Sequence, residues 1–292
     1  MKFLTQTASL AAVTLAALTA SAQTDNHWDK TYTVSARPTL VLATGDSNLN
    51  ITSCGACQTV KIHVAATNRK LSDYNLVEDQ SGNTIRFSLK EKGRLGGHVH
   101  ISWHSESVTV QVETPASLTL HAETADGNLN ASGLNGAISL HSADGNQTIA
   151  DVTGTLRVES SDGGVDLRNI AGTLDAHTSD GNLNISGKLD SLNVRTSDGK
   201  VDLELVSGST LKADSNLHSS DGTVTIRLAK DLSANLDVST SDGRIDCNLP
   251  LTLDGFHSND GGSEHSVKGK LNAGGALFTI HTSDGSVRLS SL

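Results

Sequence analysis

The run Leu156–Leu205, LRVESSDGGVDLRNIAGTLDAHTSDGNLNISGKLDSLNVRTSDGKVDLEL, decides the fold. Its Asp-Gly pairs at 162, 180 and 198 stand 18 residues apart, and the same step leads back through 144 to 126. Beyond 198 the pair recurs at 221, 242, 260 and 284 with steps of 23, 21, 18 and 24, and a further pair, Asp254-Gly255, falls outside this register. Six and four residues before each Asp the side chains are mostly apolar, as in Leu156/Val158, Leu174/Ala176 and Leu192/Val194. Three and five residues after it they are apolar again, as in Val165/Leu167, Leu183/Ile185 and Val201/Leu203. Alternation with a period of two on both sides of a turn predicts two short strands per repeat, each burying one face.

The column two residues before each Asp reads Thr124, Ser142, Ser160, Thr178, Thr196, Ser219, Thr240, Ser258 and Thr282. Parity points these side chains inward. A buried hydroxyl is costly unless it is bonded, and coils stacked about 4.8 Å apart let each one meet a neighbour or the adjacent backbone, forming an internal ladder. A second corner recurs at Leu134-Asn135-Gly136, Val152-Thr153-Gly154 and Ile170-Ala171-Gly172. The expected fold is therefore all-β: a parallel β-solenoid of two-strand coils of about 18 residues, each stabilised by stacking on the next. An antiparallel meander is the competing architecture, because Asp-Gly is also a favoured hairpin turn. Repeats that look alike at a fixed step, and not as mirror images, count against it. At the corners, Gly is expected to supply a positive φ and Asp to bond its own backbone. Gln147 and Ser263 stand where inward apolar residues belong, so distortion is expected near them.

Three regions follow. Residues 1–22, MKFLTQTASLAAVTLAALTASA, carry Lys2, an apolar stretch and Ala20-Ser21-Ala22, the parts of a secretory signal peptide. No later stretch approaches the ~20 apolar residues of a spanning helix, so no transmembrane segment is expected after cleavage. Residues 23–115 read as an irregular β cap. It holds a first coil, TLVLATGDSNLNITS, with its corner inverted to Gly45-Asp46, and a hairpin around Ser81-Gly82-Asn83. Residues 116–292 are the Asp-Gly solenoid. The chain stops three residues after Leu289 with no covering element, which predicts an open edge at the C-terminal coil and a homo-oligomer formed through it.

The runs VTVQVETPASLTLHAETADGNLNASGLNGAISLHSADG (108–145) and TLRVESSDGGVDLRNIAGTLDAHTSDGNLNISG (155–187) resemble the bacterial "putative-adhesin" family of exported repeat domains, relatives of head-GIN and toast-rack domains. The resemblance covers roughly residues 105–292 and, more loosely, 40–104. It implies a β-solenoid-like fold, an envelope or extracellular location and an adhesive role. Fold alone does not fix function.

With 22 Lys+Arg against 32 Asp+Glu, a formal charge of −10 and 3% aromatic residues, the chain lacks the basic stripe and stacking platforms of a nucleic-acid binder. Cys54-Gly55-Ala56-Cys57 follows a strand and not the helix start that thioredoxin-type chemistry uses, so a local disulfide in an oxidising compartment is expected. Redox or metal chemistry there is the rival reading, but zinc would need a second ligand pair. Cys247 falls on the inward column and is expected to be a buried thiol.

The outward column three before each Asp contains His141, His177, His218, His257 and His281, interleaved with Glu123, Glu159, Arg195 and Ser239. Alternating Glu and His would favour the imidazolium, giving either a plain solvated face or a pH-responsive strip. His98, His100 and His104 form the candidate transition-metal cluster. Stacked Asp corners raise calcium, although the nine-residue calcium-binding repeat is absent. No nucleophile elbow, phosphate loop or distinguished carboxylate pair appears, so neither a catalytic residue nor a cofactor is expected. The sequence reading is an exported non-enzymatic binding module, an adhesin or envelope interaction protein, with an unknown envelope or extracellular protein or glycan as partner. The alternative is a periplasmic scaffold that self-associates through its solenoid end; a carbohydrate-active β-helix enzyme ranks below both.

Overall fold

The computed structural model describes residues 21–93, 107–253 and 265–292. The fold is all-β: 24 strands belong to one large, nearly closed sheet, and the helical content of the described residues is a single 3-10 turn at Leu71–Asp73. Each coil is named here by its corner aspartate. The strand entering the corner pairs in parallel with the entering strands of the coils on either side, and the leaving strand does the same. Thus Leu120, Ile138, Leu156, Leu174 and Leu192 stack in one column, and Leu49, Leu129, Gln147, Val165, Leu183 and Val201 in another. These columns alternate with exposed or half-buried positions, so the inward rows of the two strand sets fill one continuous core. Each fully buried aliphatic side chain contributes roughly 1.5–3 kcal/mol relative to exposure, but only once a neighbouring coil covers it.

The inverted corner Gly45-Asp46 belongs to the same stack, because Leu40 pairs with Leu120 and Leu49 with Leu129. Beyond it, Thr84–Glu91 and Ser107–Thr114 add one more parallel pair of strands. The end is then closed by antiparallel pieces. Tyr74–Ser81 folds back on Thr84–Glu91 through Gly82 at φ 59°, the expected hairpin. Thr59–Thr67 lies against Ser107–Thr114, His27–Thr33 lies against Thr59–Thr67, and Ser21–Gln23 adds to His27–Thr33. The two outer layers are tied by Glu78, which pairs with Lys30 and accepts a hydrogen bond from the buried Tyr32 hydroxyl at 3.0 Å.

The other end departs from sequential stacking. The Asp221 coil pairs with the Asp284 coil, Ser219 against Thr282 and Val224 against Val287. The Asp242 coil lies on the far side, Thr240 against Thr282 and Ile245 against Val287. The last coil in sequence is therefore the penultimate coil in space. Val287–Ser291 has a partner on both edges, which corrects the expectation of an open C-terminal coil available for oligomerisation. The Asp242 coil ends the stack, and its entering strand is covered by Ser266–Leu271 running antiparallel, itself paired with Leu251–Leu253. Its leaving strand, Ile245–Cys247, forms the edge. Cys247 is half-buried and not fully buried as expected; among the described residues no strand pairs beyond Ile245–Cys247 on that side.

Gln147 causes no shift of register: it pairs straight across to Leu129 and Val165. Its side chain is buried: the amide nitrogen donates to the Glu159 carbonyl at 2.6 Å, while the amide oxygen has no hydrogen-bond partner among the described residues. Ser263 lies outside the described residues.

Candidate functional site

The corners build the surface that the molecule presents. Thr124, Ser142, Ser160, Thr178, Thr196, Ser219, Thr240 and Thr282 are all buried, and Ser258 lies outside the described residues. Their hydroxyls bond backbone, not one another. Thr178 donates to the Ser161 carbonyl at 3.4 Å, Thr196 to Ser179 at 3.3 Å and Thr282 to Ser220 at 3.1 Å, in each case in the coil below. Thr196, Thr240 and Thr282 also accept from the corner glycine N–H at 2.9–3.2 Å.

Among the described residues the corner glycines do not adopt positive φ, contrary to expectation. Their role is clearance. A Cβ on Gly145, Gly163, Gly181, Gly199, Gly222 or Gly285 would stand 2.0–2.2 Å from the carbonyl oxygen of the corner glycine beneath. Positive φ belongs instead to the second corners, at Gly136, Gly154 and Gly172. Among the described residues the corner aspartates do not bond their own backbone and their exposed carboxylates accept no hydrogen bond, while the Asp N–H continues the ladder, as from Asp180 to Ser161 at 3.0 Å. A second ladder escaped the sequence reading. The side-chain oxygens of Asn48, Asn128, Asn146 and Asn182 accept from the backbone N–H of the next coil at 2.9–3.1 Å. Its signal was the Asn that often follows Asp-Gly.

Fixed by these ladders, the outward column before the corner runs in space as Glu123, His141, Glu159, His177, Arg195, His218, His281 and Ser239. Its first half is a charge-paired net. His141 meets Glu159 at 3.6 Å, Arg157 pairs with both Glu159 and Asp175, and Asp175 meets His177 at 3.0 Å. The second half differs. Arg195 touches the His177 ring at 3.2 Å, and His218 and His281 stack with centroids 5.3 Å apart and planes 13° from parallel. This pair is invisible at sequence level, since it depends on the interleaved coils.

Burial, His281 and Arg195 hold the His218 imidazole below its ordinary range. That corrects the expectation of a strip that favours the imidazolium throughout. Alongside runs a row of serines, and together they line an open groove of about 460 Å³ containing His177, Ser179, Arg195, Ser197, His218 and Ser220. His257 lies outside the described residues.

Cys54 and Cys57 are joined as a disulfide in an exposed bend, with Cα atoms 5.8 Å apart. The cluster His98, His100 and His104 lies outside the described residues. Among the described residues no group of three or more His, Cys, Asp or Glu side chains converges as a metal centre, and no helix is long and apolar enough to cross a membrane.

The family profile described as Toastrack DUF4097 matches residues 38–290. Among solved structures, the chain is similar to a "putative lipid binding protein" from Parabacteroides distasonis, at 14% identity over 91% of this chain and 97% of that one, with a TM-score of 0.53. It is also similar to a "putative adhesin" from Parabacteroides merdae, at 13% identity over 91% and 96% of the two chains, with a TM-score of 0.52. At such identities the likeness is one of fold. No curated protein matches the chain.

Proposed function

The chain belongs to the Toastrack DUF4097 family, and from that premise we propose that it is an exported, non-enzymatic binding module that engages a cell-envelope or extracellular partner along its rungs. In this reading the stack is a parallel β-solenoid, residues 1–22 direct export, and the disulfide at Cys54 and Cys57 belongs to an oxidising compartment. The observation that carries it is the groove beside the Asp-Gly corners. One serine and one polar or charged side chain recur there per coil on a rigid backbone, with no enclosed pocket. Such a surface gains affinity by summing weak contacts over several rungs.

Two measurements test this. Tagged protein on intact and permeabilised cells is treated with protease: export is supported by cleavage of residues 1–22 with digestion in either setting, and overturned if full-length uncleaved protein stays in the cytosol. Purified protein is then bound to isolated envelopes. Ser179→Tyr with Ser197→Tyr, at exposed positions in the groove, should lower binding about tenfold or more, as expected when several summed contacts are blocked together. Unchanged binding would remove the groove from the interface.

A further inference from the structure

Four consecutive rungs of the outward column are basic: His177, Arg195, His218 and His281. Elsewhere on this face most bases meet an acid, as in His141 with Glu159, Arg157 with Asp175 and Lys268 with Asp237, with His121 at the far end of the neighbouring column the exception. His177 follows that pattern through Asp175. Arg195, His218 and His281 do not; among the described residues no carboxylate lies within ion-pair distance of any of the three. The Arg195 guanidinium lies 3.2 Å from His177 Nε2, which itself meets Asp175, His281 shares a hydrogen bond with Ser239 at 3.0 Å, and the His218 and His281 rings stack on each other.

The neighbours explain why. In the adjacent outward column these rungs carry Asn193, Asn216 and Thr279, all uncharged. On the corner side stand Ser197, Ser220 and Ser283, whose hydroxyls bond no other group among the described residues. The nearest acids along the chain are the corner residues Asp198, Asp221 and Asp284, three positions further on.

Resting on the reading of this groove as the binding face, we propose that Arg195, His218 and His281 form a subsite for one oxyanion group, a carboxylate, phosphate or sulfate ester, carried by an extended partner. The guanidinium presents a fork matched to such oxygens, the imidazoles supply further donors when protonated, and the serines donate from the opposite side. In the free protein the Arg195 guanidinium lies against the His177 ring, and His281 and Arg195 both disfavour a positive charge on His218. An anion set between them converts that repulsion into attraction, so binding takes up protons and strengthens as pH falls through the imidazole range. The row of corner aspartates beside the groove repels a continuous polyanion. The occupant is therefore a ligand whose negative charges are sparse along its length.

The test follows the imidazole signals of His218 and His281 by NMR at mildly acidic and neutral pH, adding in turn inorganic phosphate, a short uronate-containing oligosaccharide, its neutral counterpart and vesicles containing anionic phospholipid. The expected result is a saturable shift of both rings with at least one anionic probe, a raised midpoint for each ring, tighter binding at the lower pH and no response to the neutral sugar. Which of the sugar, the vesicles or free phosphate binds tightest identifies where the anion comes from. Arg195→Gln should weaken binding about tenfold, the scale of one charge-assisted hydrogen bond. His218→Gln should reduce the pH dependence, and His218→Gln with His281→Gln should remove most of it, while leaving the folded spectrum intact. No shift with any anionic probe, or wild-type binding by Arg195→Gln, overturns the subsite. Equal binding of the neutral sugar also overturns it, while leaving the wider groove as a binding face; loss of envelope binding in the tyrosine variant tests that face separately.

Discussion

At the scale of single residues, the corner glycine decides whether coils stack at all. Gly181 and Gly45 both occupy corners, yet an added methyl meets a carbonyl oxygen at 2.1 Å in the first case and nothing within 4 Å in the second. Gly181→Ala is expected to cost about 3 kcal/mol or more, because backbone and not a flexible side chain must yield, whereas Gly45→Ala should stay within about 0.5 kcal/mol. Urea denaturation of the two variants side by side checks this. The position of the glycines was legible from the 18-residue step, but their purpose was not. Asp-Gly carries the same letters in a hairpin that needs positive φ and in a stacked corner that needs bare backbone, and only the neighbouring coil distinguishes them. The hydroxyl column was legible by parity for the same reason that Gln147 misled: side-chain direction follows from the alternation, whereas the partner a polar group finds depends on what lies across the core.

At the scale of coils, the pairing between consecutive repeats up to Asp221 was readable because each coil resembles the next. The reversal of order after Asp221 was not. Its cause lies in the antiparallel return of Ser266–Leu271, which covers the Asp242 coil and brings the chain back toward Asp221. Leu277–Thr282 then slots between two strands already formed in sequence, and Phe278 becomes wholly buried between them. Phe278→Ala is expected to cost about 3–5 kcal/mol. Hydrogen exchange should show the loss on both flanks, with faster exchange in Ser215–Ser219 and in Ala234–Thr240 and little change in Asn135–Ser142. Equal loosening throughout would mean the stack melts as one unit.

For the whole molecule, acidity acts through the strip. The folded His218 binds its proton less readily than the unfolded one, so no effect is expected at neutral pH and above. As pH falls below the ordinary imidazole range the unfolded chain protonates first, and stability declines until pH has passed below the lowered folded value. Asp46 works in the opposite sense, since burial and the neighbouring Asp126 raise its pKa, but only in the lower range where carboxylates titrate. Thermal melts should therefore show Tm falling from neutral to mildly acid pH, with a shallower fall in His218→Gln; an unchanged slope would dissociate the stacked imidazoles from stability.

The interleaved end also imposes a schedule. Residues 215–228 and 234–247 are made before residues 277–291, yet in the finished molecule the later segment separates them. Until that keystone is synthesised, the Asp221 and Asp242 coils are two adjacent rungs with matching pleats and every opportunity to pair with each other. A chain that emerges from its amino end must either hold that gap open or close it wrongly and reopen it. Folding of this region thus becomes a contest between a near-identical neighbour and a latecomer, and slowing the synthesis of residues 277–291 would lengthen the time in which the wrong rung can win.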